Sequence, residues 1–167
     1  MNQQSKIIHG KSNIHKDSRG FFAKLFDKSL ISNYEFIIKQ INYVESEKAN
    51  TLRGLHYQVE PYSEAKIFRV LKGKIQLVAV SIDKNDPEFL KPHIFILSGE
   101  DEFVFVPKGF ATGYCTLEDK SKVLYLSDNN YEPEYEKGFL WNDPVLSIQW
   151  NSDKVIVSEK DKAWNKL

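Results

Sequence analysis

Short runs rich in Val, Ile, Phe and Tyr recur at close spacing along this chain, and turn residues interrupt them before most reach helical length. β-Branched and aromatic side chains fit a pleated, half-buried surface, so such runs fold as strands. Lys66 to Leu71 and Lys74 to Ile82, separated by Lys72-Gly73, predict a β-hairpin. His93 to Leu97 and Phe103 to Val106 predict two more strands joined around Ser98-Gly99-Glu100, and Val123 to Ser127 predicts another. Only Asp27 to Tyr34 and the stretch from Ser158 predict short helices. Many short strands with few helices imply an antiparallel sandwich or barrel, which can hold a ligand in its mouth.

A length of 167 residues suits one domain spanning 1–167, and 41% hydrophobic residues suffice for a core. The 23 basic and 23 acidic side chains cancel, which argues against a nucleic-acid or membrane-surface partner recruited by charge. The lone cysteine, Cys115, precludes an internal disulfide or a zinc site built on cysteine pairs, and its strand context predicts a small buried hydrophobe. Apolar stretches such as Ile94-Phe95-Ile96-Leu97 are far too short to cross a bilayer. Met1-Asn2-Gln3-Gln4-Ser5-Lys6 lacks the apolar centre of a signal peptide, so a cytoplasmic protein is expected. Asn142-Asp143-Pro144 predicts a turn, and Trp141 and Trp150 are expected in the core.

Of the four histidines, only His56 sits in a promising setting, Leu52-Arg53-Gly54-Leu55-His56-Tyr57-Gln58. A metal-binding barrel usually offers His-x-His on one strand; here Gln58 takes the second place, so no metal is expected. On its own, His56 reads either as a satisfied strand histidine or as a group that moves protons near neutral pH. The arginines are just Arg19, Arg53 and Arg69, and the first two precede glycine. That pattern fits either chance or a planar donor kept for phosphate beside closely approaching backbone. Neither a Gly-rich phosphate loop nor a Gly-x-Ser-x-Gly elbow is present.

Taken in order, the motifs resemble one family. They are Asp17-Ser18-Arg19-Gly20-Phe21-Phe22, Leu52 to Gln58, Lys66, Val78-Ala79-Val80, Pro107-Lys108-Gly109-Phe110-Ala111, Tyr125, Trp141-Asn142-Asp143-Pro144 and Ser158-Glu159-Lys160-Asp161. Together they are similar to the dTDP-4-dehydrorhamnose 3,5-epimerases, cupin-fold enzymes acting on nucleotide sugars. The resemblance implies a cupin-type antiparallel β-jelly-roll barrel without cofactor, and a homodimer whose N-terminal strands cross to the partner. It implies inversion of carbons beside the C4 ketone of a nucleotide-diphospho-4-keto-6-deoxy sugar, for surface polysaccharide precursors. His56 matches the base, Asp161 the carboxylate orienting it, Lys66 the cation at the enolate oxygen and Tyr125 the acid on the other face. Arg53 matches a diphosphate contact and Arg19 one supplied by the partner subunit. By the same resemblance, Phe22, Lys24, Gln40, Asn42, Gln58, Thr112 and Tyr131 are expected to contact substrate.

This chain departs from the family pattern around the nucleotide. Lys24 stands where a carboxylate would accept from thymine, and the usual tyrosine pair is Asn130-Tyr131. A lysine ammonium has no acceptor, so these changes lead to the expectation of a GDP-linked sugar, heptoses included, over a dTDP-linked one. The family's Gly-Phe-Ala-His-Gly-Phe is Gly109-Phe110-Ala111-Thr112-Gly113-Tyr114 here, with Thr112 replacing the histidine. Two alternatives share the fold: a non-catalytic sugar-nucleotide-binding cupin, and a 3,4-ketoisomerase that moves the carbonyl.

Overall fold

The computed structural model describes residues 6–167; Met1–Ser5, within the segment read above for a signal peptide, lie outside the described residues. Two sheets face one another. The first runs β1 (Ile8–Lys11), β9 (Glu102–Val106), β6 (Lys66–Lys72), β11 (Ser121–Ser127), β4 (Gln40–Ser46). The second runs β12 (Glu136–Gly138), β5 (Thr51–Gln58), β10 (Phe110–Thr116), β7 (Ile75–Ser81), β8 (Pro92–Leu97), with β13 (Ile156–Val157) added in parallel to β5. A separate ribbon pairs β2 (Ile14–Asp17) with β3 (Gly20–Ala23). This is the all-β jelly roll expected.

The predicted strands form, but the predicted hairpin does not. β6 pairs with β9 and β11, whereas β7 pairs with β8 and β10, so the chain at Lys72-Gly73 crosses from one sheet to the other. Gly73 has φ +79°, and a Cβ on it would stand 2.4 Å from the Ser121 hydroxyl. Tight glycine turns signal reversal; they do not specify which edge the next strand takes. The same crossing occurs between β8 and β9.

Between the sheets, alternate residues interdigitate: Phe68 and Val70 of β6, Ile75, Leu77 and Ala79 of β7, Val104 and Val106 of β9, with Phe110, Tyr114 and Val123. The outer face of the first sheet is covered by the segment carrying Ile31 and Phe36. There the expected Asp27–Tyr34 helix is a single 3-10 turn, Lys28–Ile31. Asp27 caps it by accepting from the Ser29 N–H, and Ser32 and Asn33 offer little reason to propagate it. The outer face of the second sheet is covered by Phe139 and Leu146, with Ile148 and Trp150 packed alongside. Trp141 and Trp150 are half-buried, not core; the Trp150 indole donates to the Trp141 carbonyl. The C-terminal helix is one turn, α1 (Glu159–Lys162), where Ser158 accepts from the Asp161 N–H. Cys115 is fully buried, and burial pushes its thiol up to about 11.

Arg69 is the largest fully buried side chain. Its guanidinium reaches the carbonyls of Glu100, Asp101 and Glu102, lies over the Phe103 ring and bonds the Ser12 hydroxyl. It ties the N-terminal segment to the first sheet, so this arginine is structural.

Candidate active site

A cavity opens between the sheets, lined by Arg53, His56, Lys66, Thr112, Tyr114, Tyr125 and Asp161, with an accessible volume of about 280 Å³. Strict strand alternation would put Arg53 and His56 on opposite faces of β5. A bulge reverses this: Thr112 of β10 pairs with His56 and Tyr114 with Arg53, so three steps on β5 match two on β10. Gly54 sits in the bulge at φ +120°, and a Cβ there would fall 2.4 Å from the Gly113 Cα. The Arg-Gly-x-His spacing is thus a backbone device that brings both side chains to one cavity.

His56 Nε2 lies 2.7 Å from Asp161 Oδ1, and the other carboxylate oxygen accepts from the Gly54 N–H at 3.3 Å. Burial alone would raise the Asp161 carboxyl. The hydrogen bond and charge of His56, with the Gly54 N–H and the Ser158 hydroxyl, outweigh it and hold the group below the ordinary aspartate value. The other imidazole nitrogen, Nδ1, has Glu136 Oε1 at 3.8 Å. Glu136 accepts from the Tyr131 hydroxyl at 2.7 Å and pairs with Lys160. Burial opposes its ionisation, but Lys160, Tyr131 and His56 leave its carboxyl below the usual range. Trp164 meets the His56 ring edge-on at 6.0 Å.

Across the cavity, the first sheet presents Lys66 and Tyr125. Lys66 Nζ is 2.9 Å from Glu64 Oε1. Tyr125 lies against Phe68, ring centroids 5.5 Å apart, and burial, then the charge of Glu64, raises its phenol above the ordinary tyrosine value. His56 and Tyr125 therefore stand on opposed sheets facing one cavity.

A second cavity shares His56, Lys66 and Tyr125 and extends to Gln40, Asn42, Gln58, Tyr131 and Glu136. Gln40 and Asn42 face inward at alternate positions of β4 and bond each other at 2.7 Å. Gln58 lines this cavity, but its amide is fully engaged: it donates to the carbonyls of Tyr62 and Asn130 and accepts from the Glu132 N–H. It holds the loop carrying Tyr131. Arg19, Phe22 and Lys24 are not brought to either cavity within the chain. Arg19 is paired with Asp17 at 2.6 Å, Phe22 is 62% exposed, and Lys24 is paired with Asp27 at 3.0 Å. Sequence reasoning assigned no site role to Glu64, Tyr114, Glu136, Ser158, Lys160 or Trp164, although Tyr114, Ser158 and Lys160 stand in the motifs quoted above. Only Ser158 and Lys160 carried a signal, since they flank Asp161 in a helix-cap pattern. Among the described residues, no group of three His, Cys, Asp or Glu side chains could hold a metal ion, and no helix is long and apolar enough to cross a membrane.

The two sheets form a cupin-type jelly roll whose cavity is faced by a histidine–aspartate pair, a tyrosine and a lysine, and the family match makes it an isomerase of carbohydrate derivatives. The sequence profile of the dTDP-4-dehydrorhamnose 3,5-epimerase family matches residues 4–167, and the chain belongs to that family. The enzyme of that name from Shigella flexneri is 38% identical over 151 residues, 87% of this chain and 82% of its own. The one from Methanothermobacter thermautotrophicus is 36% identical, over 92% and 85%. The Bacillus anthracis enzyme, solved with TDP and pyrophosphate, superposes with a TM-score of 0.92 at 34% identity, over 96% of this chain and 94% of its own. The Legionella pneumophila enzyme, solved with dTDP-4-keto-L-rhamnose, gives 0.89 at 33% identity, over 96% and 87%. The chain is accordingly a nucleotide-sugar epimerase, which removes the non-catalytic alternative. These relatives give the guanine-nucleotide expectation no support. The Lys24 ammonium on which it rested is engaged by Asp27.

Proposed function

We propose that this chain is a 3,5-epimerase of a dTDP-linked 4-keto-6-deoxy sugar, with dTDP-4-dehydrorhamnose as product, working in the cytoplasm. The observation that carries this reading is the opposition of His56–Asp161 on one sheet to Tyr125 and Lys66 on the other. The C4 ketone acidifies the hydrogens at C3 and C5. His56 takes one as a proton, and the C–H electron pair moves into the carbonyl, leaving an enolate. Asp161, ionised, balances the imidazolium. Lys66 counters the enolate oxygen; a donor so placed typically contributes about 3–4 kcal/mol to the transition state. Tyr125, kept protonated by burial, returns a proton from the opposite face, and the stereocentre inverts. The ketone is regenerated; His56 then releases its proton to solvent and Tyr125 regains one from it, so the chemistry balances without a redox partner. A 3,4-ketoisomerase would have to move the carbonyl, and family membership gives that alternative no support.

The reading extends to a homodimer. Phe21 and Phe22 are 55% and 62% exposed on the β2–β3 ribbon, and Ile41 and Tyr43 point outward from β4, which is an edge strand. Exposed apolar side chains on an unpaired edge favour association. The ribbon then reaches the partner's cavity with Arg19, Phe22 and Lys24. Competitive titration of the protein with dTDP and GDP tests the nucleotide: dTDP should bind more tightly, and tighter GDP binding would refute the thymidine assignment.

A further inference from the structure

Tyr114 is 4% exposed, yet its hydroxyl has no hydrogen-bond partner among the described residues. A buried hydroxyl left unpaired keeps the full cost of losing its water. Native structures rarely tolerate that without a ligand or water to meet it. Tyr114 follows Thr112 by two on β10 and shares its inward face, lining the cavity with Arg53, His56, Lys66 and Tyr125. Its register partner across the bulge is Arg53. The Gly54–Gly113 approach, where a Cβ on Gly113 would meet the Arg53 carbonyl at 2.9 Å, keeps β5 and β10 close at this point. Burial pushes the phenol up to about 12, opposed by the nearby Arg53 charge, so the group is an uncharged O–H donor at any working pH.

We propose that the Tyr114 hydroxyl is a substrate-binding donor that acts with Arg53 on a phosphoryl oxygen of the sugar nucleotide. The acceptor is anionic because the donor sits beside an unpaired guanidinium, which favours negative oxygen over a sugar hydroxyl. The proposal rests on the nucleotide-sugar assignment above. Tyr114→Phe removes only the hydroxyl. A purely structural tyrosine would bind ligands as before, and losing an unpaired buried hydroxyl would leave Tm unchanged or raised.

The test is calorimetric titration of the wild type and Tyr114→Phe with dTDP and with inorganic pyrophosphate, alongside Tm. Both ligands should bind the variant about tenfold more weakly, with Tm not lowered. Equal affinity of the two proteins for both ligands would overturn the role of Tyr114 while leaving the epimerase assignment standing. Weakened dTDP binding with unchanged pyrophosphate binding would overturn the phosphoryl contact. A lowered Tm with unchanged affinity would make the hydroxyl structural. A wild-type protein that binds neither ligand would overturn both this proposal and the thymidine assignment.

Discussion

His56 Nε2 and Asp161 Oδ1 meet at 2.7 Å although 105 residues separate them in the chain. The contact is built from both ends. The β5 bulge turns His56 inward, and the Ser158 cap fixes the single helical turn that delivers Asp161. Asp161 engages Nε2, and the other ring nitrogen, Nδ1, has Glu136 Oε1 at 3.8 Å.

Asp161→Asn should keep the fold and lower kcat about 100-fold, because the imidazolium loses its counter-charge. The same group gives a pH signature. Its folded carboxyl lies below the unfolded value of 3.8. Its contribution to stability is therefore complete above that value and is lost as pH falls through the lower folded value. Thermal melts across this acid range should show the wild-type Tm falling more steeply than that of Asp161→Asn. Parallel curves would remove Asp161 as a stabilising ionised group.

Tyr125→Phe separates the two half-reactions. Deprotonation by His56 survives, so solvent hydrogen should still enter the substrate while net inversion drops. NMR of the product in deuterated buffer reads both at once. Inversion keeping pace with exchange would assign the second-face proton to another donor.

Gly54→Ala should be severe. The site holds φ +120° and has a backbone carbon 2.4 Å from the new methyl, so strain of about 1–3 kcal/mol adds to a clash that backbone alone can relieve. A lowered Tm and at least a tenfold loss of activity are expected. A variant with wild-type Tm would show that β5 and β10 can part without cost.

Arg19→Ala and His56→Ala proteins, each weak alone, should regain activity when mixed under conditions that exchange subunits. One heterodimer site would then hold both residues intact. Absence of recovery with exchange confirmed by native mass spectrometry would place Arg19 outside the partner's cavity.

Much of this was legible in the chain, for identifiable reasons. Runs of β-branched and aromatic residues marked five of the strands, but not β4, whose inward set of Gln40, Asn42 and Val44 is largely polar. What local pattern could not carry was pairing. Lys72-Gly73 looks like a hairpin turn, yet β6 and β7 have both edges occupied by other strands. The pairing of Arg53 with His56 also escapes alternation, because a bulge shifts the register. Glu136 and Trp164 reach the site only through tertiary packing, so no motif marked them, and Tyr114 stands in a motif that gave it no role. Lys24 misled because a charge read as free for a base is satisfied three residues away by Asp27.

Mass spectrometry of a dTDP-linked 4-keto-6-deoxyglucose incubated in D2O tests the central claim most directly. The wild type should add deuterium at the two carbons flanking the ketone and yield the inverted sugar. His56→Ala should lose incorporation at both by about 100-fold or more. No mass gain with wild-type enzyme, or near-normal gain with His56→Ala, would contradict the account.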